Sequence, residues 1–161
     1  INMHLSSGIY ITLPDRKVYL FQEYKELFLE KLIDFRKMCE LAIGDSDIKI
    51  CVENAGGFQD FAREGIEQLL ESKVFGLTFD LGHDHSAGGM DEPFIRMHKD
   101  RLLHMHIHDA LGRSNHLAIG DGEIDLKDKI ALAKECGCRC VLETKTIEGL
   151  SRSVERLHNY L

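Results

Sequence analysis

The sequence is poor in several features that mark specialised classes of protein. It contains no tryptophan and only two prolines, and no apolar run approaches the roughly 20 residues that span a bilayer. Its first residues lack the basic segment that opens a signal peptide. Acidic residues outnumber basic residues by 27 to 20, and the net charge of -7 disfavours binding to nucleic acid or to acidic membranes. We therefore expect a cytoplasmic protein without a membrane partner.

The cysteine content also favours the cytoplasm. The chain has five cysteines, an odd number that suits reduced thiols better than a disulfide framework. Cys136, Cys138 and Cys140 form a C-x-C-x-C pattern, which could hold a metal ion. Two of the three fall in a predicted strand, where small buried cysteines are common. We favour a packing role for the trio.

An alternation of strands and helices runs through the chain. With 161 residues and 43% apolar content, residues 1–161 suit a single domain with a real core. Apolar runs and helical periodicity predict strands at 1–6, 48–53, 75–80, 102–108 and 138–143, and helices at 22–43, 58–72, 91–100, 125–136 and 147–160. Strands that alternate with helices predict an α/β fold with a parallel sheet.

Three longer connections separate these elements, at 7–21, 81–92 and 109–124. Loops of this length in a compact domain usually serve function, and a parallel sheet places all three at the same edge. No G-x-G-x-x-G follows a predicted strand, which disfavours a dinucleotide site.

Side chains that bind metals recur at the ends of the predicted strands. Glu53, Asp80 and Glu143 each close an apolar run, and His106 lies near the end of another. The carboxyl ends of parallel strands meet at one edge, and buried carboxylates need a cation. Carboxylates and imidazoles together bind divalent metals. The sequence therefore predicts a metal site, and His4 in the first strand is a fifth candidate ligand.

The other histidines extend this pattern. His104, His106 and His108 alternate, so they share one face of their strand. We expect His104 deep in the core, His106 as the ligand and His108 higher up, facing substrate. His83 follows Asp80 by three residues and is placed on the loop, where it serves as a further ligand or a substrate contact. His85 is assigned to the same loop without a role.

Five short motifs connect the chain to a known group of proteins. They are Cys51-Val52-Glu53-Asn54, Phe79-Asp80-Leu81-Gly82-His83, Met105-His106-Ile107-His108-Asp109, Ile119-Gly120-Asp121-Gly122-Glu123-Ile124-Asp125 and Val141-Leu142-Glu143-Thr144. In this order and spacing, the chain resembles the xylose-isomerase-like TIM-barrel superfamily. That group contains sugar and sugar-phosphate isomerases and epimerases, and also repair enzymes of the endonuclease IV type. The resemblance implies a (β/α)8 barrel of which this chain supplies strands 4 to 8, with the N-terminal strands missing.

The resemblance also implies roles for the ligand residues. In the epimerase branch, Glu53, Asp80, His106 and Glu143 would hold one divalent ion (Mn, Zn, Co or Mg). Glu53 and Glu143 would also act as the acid–base pair of an isomerase or epimerase that works through an enediolate.

Further residues would contact the substrate, which we expect to be a small sugar or sugar phosphate. His83, His108, Arg113 and Lys145 are the candidates, with Arg113 at the polar or phosphorylated end. A homo-oligomer is a further expectation.

Two other functions stay open. An endonuclease IV-like zinc phosphodiesterase acting on abasic DNA would add His4, His83 and His116 as ligands. Ser114 stands where that branch has an aspartate, and this difference, with the acidic net charge, favours sugar chemistry over nucleic acid. The other alternative is a non-catalytic barrel that binds a metal or a sugar.

Overall fold

A five-stranded parallel sheet forms the centre of the structure, which is a computed structural model describing residues 1–160. Elements are numbered in chain order. The sheet contains, from one edge to the other, β1 (Asn2–His4), β4 (Ile50–Glu53), β5 (Phe75–Asp80), β6 (Leu102–Ile107) and β9 (Arg139–Leu142). Every neighbouring pair is parallel. The prediction of an α/β fold with a parallel sheet is confirmed.

All five predicted helices are present, each of them shorter than predicted. The helices are α1 (Leu20–Glu23), α2 (Lys25–Ile43), α3 (Asp60–Leu70), α4 (Leu81–Ser86), α5 (Glu92–Met97), α6 (Leu126–Cys136) and α7 (Ile147–Leu157), with a 3-10 turn at Lys99–Arg101. Gly44 ends α2 with a positive φ of 54°, which glycine adopts without strain. Asp125 caps α6 by accepting the backbone N–H of Asp128.

The three connections are more ordered than the sequence predicts. Residues 7–21 contain the hairpin of β2 (Tyr10–Thr12) and β3 (Lys17–Tyr19), and residues 109–124 contain that of β7 (Asp109–Leu111) and β8 (Ser114–Leu117). The placement of His83 and His85 on a loop is wrong, because both lie on α4. Segments of three to six residues are too short to show a hydrophobic period.

The two faces of the sheet differ in what covers them. Val52, Phe79 and Met105 are fully buried in the main core beneath the helices. On the opposite face, Cys51, Thr78 and His104 line a cavity of about 780 Å³. Within residues 1–160, β1 and β9 each pair along one edge only, so the sheet is a partial barrel. No helix among these residues is long and apolar enough to cross a membrane.

Candidate metal centre

Four predicted ligands converge at the carboxyl edge of the sheet. The Nδ1 atom of His106 lies 3.2 Å from Glu53 Oε1, 3.5 Å from Asp80 Oδ2 and 3.4 Å from Glu143 Oε1. Register explains the convergence, because Asp80 on β5 pairs directly with His106 on β6. Glu143 follows β9, and its backbone N–H donates to Ile107 on β6.

The spacing of Glu53, Asp80 and His106 suits a single ion, because their ligand atoms all lie within 4.8 Å of one another. Donor atoms about 2.1 Å from a tetrahedral metal lie roughly 3.4 Å from one another, close to the three distances around His106. The donor set of carboxylate oxygens and one imidazole nitrogen suits Zn, Mn or Co.

Two of the four ligand atoms lack any other partner. Asp80 Oδ2 and His106 Nδ1 are buried and, among the described residues, have no hydrogen-bond partner. A buried polar atom without a partner is costly and needs an explanation. A metal ion at this point would satisfy both atoms, so the residues fit a divalent cation.

The electrostatics favour charged ligands. Burial opposes ionisation of Asp80, yet His106 and His108 hold the pKa of its carboxyl well below the usual range. Burial has the same effect on Glu53, whose pKa is nevertheless lowered by His106, Asn2 and His4. Burial disfavours the charged form of His106, but the carboxylates of Asp80 and Glu53 raise its pKa to about 10. In the metal-free protein, a proton on His106 therefore takes the place of a cation.

Three further histidines surround this centre. His4 Nε2 lies 3.1 Å from Glu53 Oε2, and His83 Nδ1 lies 3.7 Å from Glu53 Oε1. His116 Nδ1 lies 3.8 Å from Glu143 Oε2. His4 and His83 line, with Glu53, His106 and Glu143, a cleft of about 330 Å³. The structure thus brings all three additional candidate ligands to the site.

His108 lies behind the ligands and not towards the cleft. Its side chain is fully buried, and its Nε2 atom lies 3.0 Å from Asp80 Oδ1. His108, His116 and Glu143 also form a group of atoms within 4.8 Å of one another. Both ring nitrogens of His108 already have protein partners, so this second group offers fewer free ligand atoms than the first.

The two basic residues that were predicted to contact the substrate lie in different places. Lys145 lines a cleft of about 540 Å³ with His116, Glu143 and Thr144. Arg113 is exposed in the turn between β7 and β8 and does not line either cleft. A substrate role for each stays a prediction, and Lys145 has the better placement.

Two polar residues to which the sequence analysis gave no role also organise the site. The amide of Asn54 donates to the Asp80 carbonyl at 2.9 Å and accepts its N–H at 2.8 Å. The buried carboxylate of Asp109 accepts four backbone N–H groups, from Ala110, Gly120, Gly122 and Ile124. Both lie in the motifs that carry the resemblance, but spacing alone does not reveal their partners.

Comparison with known proteins agrees with the fold. Residues 23–160 match the family described as xylose isomerase-like TIM barrel, and the chain therefore belongs to this family. It is 32% identical over 170 residues to an uncharacterised protein of Methanocaldococcus jannaschii, covering 98% of this chain and 57% of that protein.

A solved structure of L-ribulose 3-epimerase shares the fold, with a TM-score of 0.60 and 16% identity, over 96% of this chain and 52% of that one. The chain thus spans a little over half the length of both relatives, as expected for a partial barrel.

Proposed function

We propose that the protein is a divalent-metal-dependent isomerase or epimerase of a small sugar or sugar phosphate, acting in the cytoplasm. The observation that carries the proposal is the spacing of three carboxylates around His106, at 3.2 to 3.5 Å. Family membership and the shared fold with an epimerase support the same chemistry. The chain spans only 57% of the length of its archaeal relative. The activity of the whole protein is therefore proposed and not shown.

Glu53, Asp80, His106 and Glu143 would hold the ion. When bound, a divalent metal polarises a substrate carbonyl and makes the adjacent C–H acidic. One glutamate would remove that proton, the C–H electron pair would form a C=C bond, and the π pair of the carbonyl would move onto its oxygen to give an enediolate. A carboxylic acid then returns a proton to carbon.

The two glutamates differ in environment. The Glu53 side chain is only 5% exposed, whereas that of Glu143 is 35% exposed. The low pKa of Glu53 keeps it a carboxylate, the form that accepts a proton. Glu143 lines both clefts, so it has room to reach substrate.

Substitution of each glutamate tests the acid–base roles. Glu53→Gln and Glu143→Gln should lower turnover by at least about 100-fold, the usual contribution of general acid–base catalysis. The assay follows deuterium uptake from D2O into ketopentoses, ketohexoses and their phosphates by NMR. Glu148→Gln, at an exposed site in the first turn of α7, is the matched control.

Metal content must be measured in the same samples. A variant that retains its ion but loses exchange supports acid–base chemistry, whereas loss of both supports a ligand role. Full deuterium uptake by Glu53→Gln and Glu143→Gln would exclude this mechanism and favour a non-catalytic barrel that binds a metal or a sugar.

A zinc phosphodiesterase acting on abasic DNA is the second candidate. It is favoured by His83 and His116, whose rings are 5.4 Å apart beside the centre, because a single-ion site does not need them. Ser114 is exposed at the start of β8 and offers no carboxylate there. Three zinc ions per chain with bridging phosphate would support the phosphodiesterase, and one ion per chain would support the epimerase.

A further inference from the structure

His108 contacts two separate parts of the site from its buried position. Its Nδ1 atom accepts the backbone N–H of His116 at 2.8 Å, which places the ring proton on Nε2. That N–H then donates to Asp80 Oδ1, 3.0 Å away. One imidazole therefore connects a candidate metal ligand on β5 to the hairpin of β7 and β8.

The hydrogen bond to Asp80 distinguishes the two carboxylate oxygens. Oδ1 accepts from the His83 backbone N–H at 2.7 Å as well as from His108. Oδ2 has no hydrogen-bond partner among residues 1–160 and lies 3.5 Å from His106 Nδ1. Two donors on Oδ1 set the rotation of the carboxylate and leave Oδ2 free for a cation.

The second contact holds His116 in an unusual conformation. His116 has a φ of 57°, in the left-handed region that residues other than glycine rarely adopt. Its ring stacks on that of His108, with centroids 4.2 Å apart and an interplanar angle of 15°. Together, the backbone hydrogen bond and the stacking place His116 Nδ1 3.8 Å from Glu143.

A glycine makes room for the His108 ring. A Cβ atom at Gly82 would lie 2.0 Å from Cε1 of His108. Gly82 is in α4, two residues after Asp80, so any larger residue would displace the ring from its two partners.

We propose that His108 is a positioning residue, which selects Oδ2 of Asp80 as the metal-facing oxygen and holds the β7–β8 hairpin beside the cleft. The inference rests on the proposed metal centre. In this role His108 contacts no substrate, contrary to the expectation from sequence. It connects the candidate ligand Asp80 to the hairpin beside the cleft.

Two substitutions separate the contacts. In His108→Asn, the short amide oxygen lies near the position of Nδ1 and still accepts from His116, but it cannot reach Asp80. In His108→Gln, the amide N–H lies near the position of Nε2 and still donates to Asp80. Gly82→Ala displaces the ring without altering His108 itself, and His158→Asn, at an exposed site, is the control.

The readout is a Co²⁺ titration followed by visible absorption, which reports both affinity and ligand geometry. His108→Asn and Gly82→Ala should bind Co²⁺ about 10- to 100-fold more weakly, with a shifted spectrum, as is usual when a partner of a metal ligand is lost. His108→Gln should stay within a few-fold of wild type. Circular dichroism of the metal-free variants checks that they fold.

The outcomes separate the two proposals. Wild-type affinity and spectrum in His108→Asn and Gly82→Ala would overturn the positioning role alone. If the wild-type protein binds no Co²⁺, the metal centre is wrong, and the role of His108 fails with it. If a folded His108→Gln loses as much affinity as His108→Asn, the contact with Asp80 is not what matters, and the proposal is overturned.

Discussion

At the scale of residues, the site depends on buried charges that compensate one another. His106 is surrounded by carboxylates from Glu53, Asp80 and Glu143. The carboxylates of Glu53 and Asp80 would be costly to bury alone, and a shared cation or proton removes that cost. The charge of these carboxylates can therefore be balanced by a metal ion or by a protonated His106.

This arrangement predicts how the stability of the metal-free protein depends on pH. The pKa of His106 is raised from 6.5 to about 10, so the folded state holds this proton more tightly than the unfolded state. Its contribution to the free energy of unfolding is complete below about pH 6.5 and is lost as the pH rises towards 10.

Urea unfolding of the chelated protein at pH 6 to 10 measures the effect. His106→Asn should show a shallower loss of stability across this range than wild type, with His158→Asn as the control. Parallel curves for wild type and His106→Asn would contradict the assignment of the proton to His106.

At the scale of elements, one carboxylate holds the long connection that follows β6. Asp109 accepts N–H groups of Ala110 and Ile124 on Oδ1, and of Gly120 and Gly122 on Oδ2, all within 2.9 to 3.1 Å. Gly122 is required there, because a Cβ would lie 2.3 Å from the Ala110 carbonyl oxygen. The motif around Gly120 therefore has a structural explanation.

Asp109→Asn should destabilise the fold by about 3 kcal/mol. The substitution replaces one carboxylate oxygen with an NH2 group, which would then face two backbone N–H donors. Chemical denaturation measures the change. Asp121→Asn is the matched control, since Asp121 forms only a partly exposed pair with Arg152 and Arg156, and its substitution should cost much less because exposed ion pairs contribute little. Equal losses in the two variants would show that the four hydrogen bonds contribute little.

At the scale of the whole molecule, the metal would connect separate parts of the sheet. The four candidate ligands lie on β4, β5 and β6 and at the residue after β9. An ion that binds only the folded state stabilises the protein by mass action. Strand packing and metal binding should therefore be coupled.

Adding Mn²⁺ at about 100 times its dissociation constant should stabilise the fold by about 2.7 kcal/mol and raise Tm by roughly 5–10 °C for a domain of this size. Differential scanning calorimetry with and without a chelator measures the shift. Asp80→Asn should abolish most of it, and an undiminished shift in that variant would place the ion elsewhere.

Much of this organisation follows from sequence alone. The strand Phe75–Asp80 is predicted to the residue, because a continuous apolar run between polar segments marks a buried parallel strand. A parallel sheet then brings the strand ends together, which is why Glu53, Asp80, His106 and Glu143 could be predicted as one site. The short hairpins and α4 escape prediction, since three to six residues carry too little periodicity.

Sequence by itself determined the α/β class, the positions of the central strands along the chain and the four candidate ligands at the strand ends, because hydrophobic periodicity and strand polarity are local properties. Tertiary structure alone decided which oxygen of Asp80 faces the centre, why position 82 is glycine and why His108 lies behind the ligands. Those features depend on contacts between residues about 30 apart in the chain, such as Asp80 with His108. Their geometry is set by strand register and side-chain packing, which no single segment encodes.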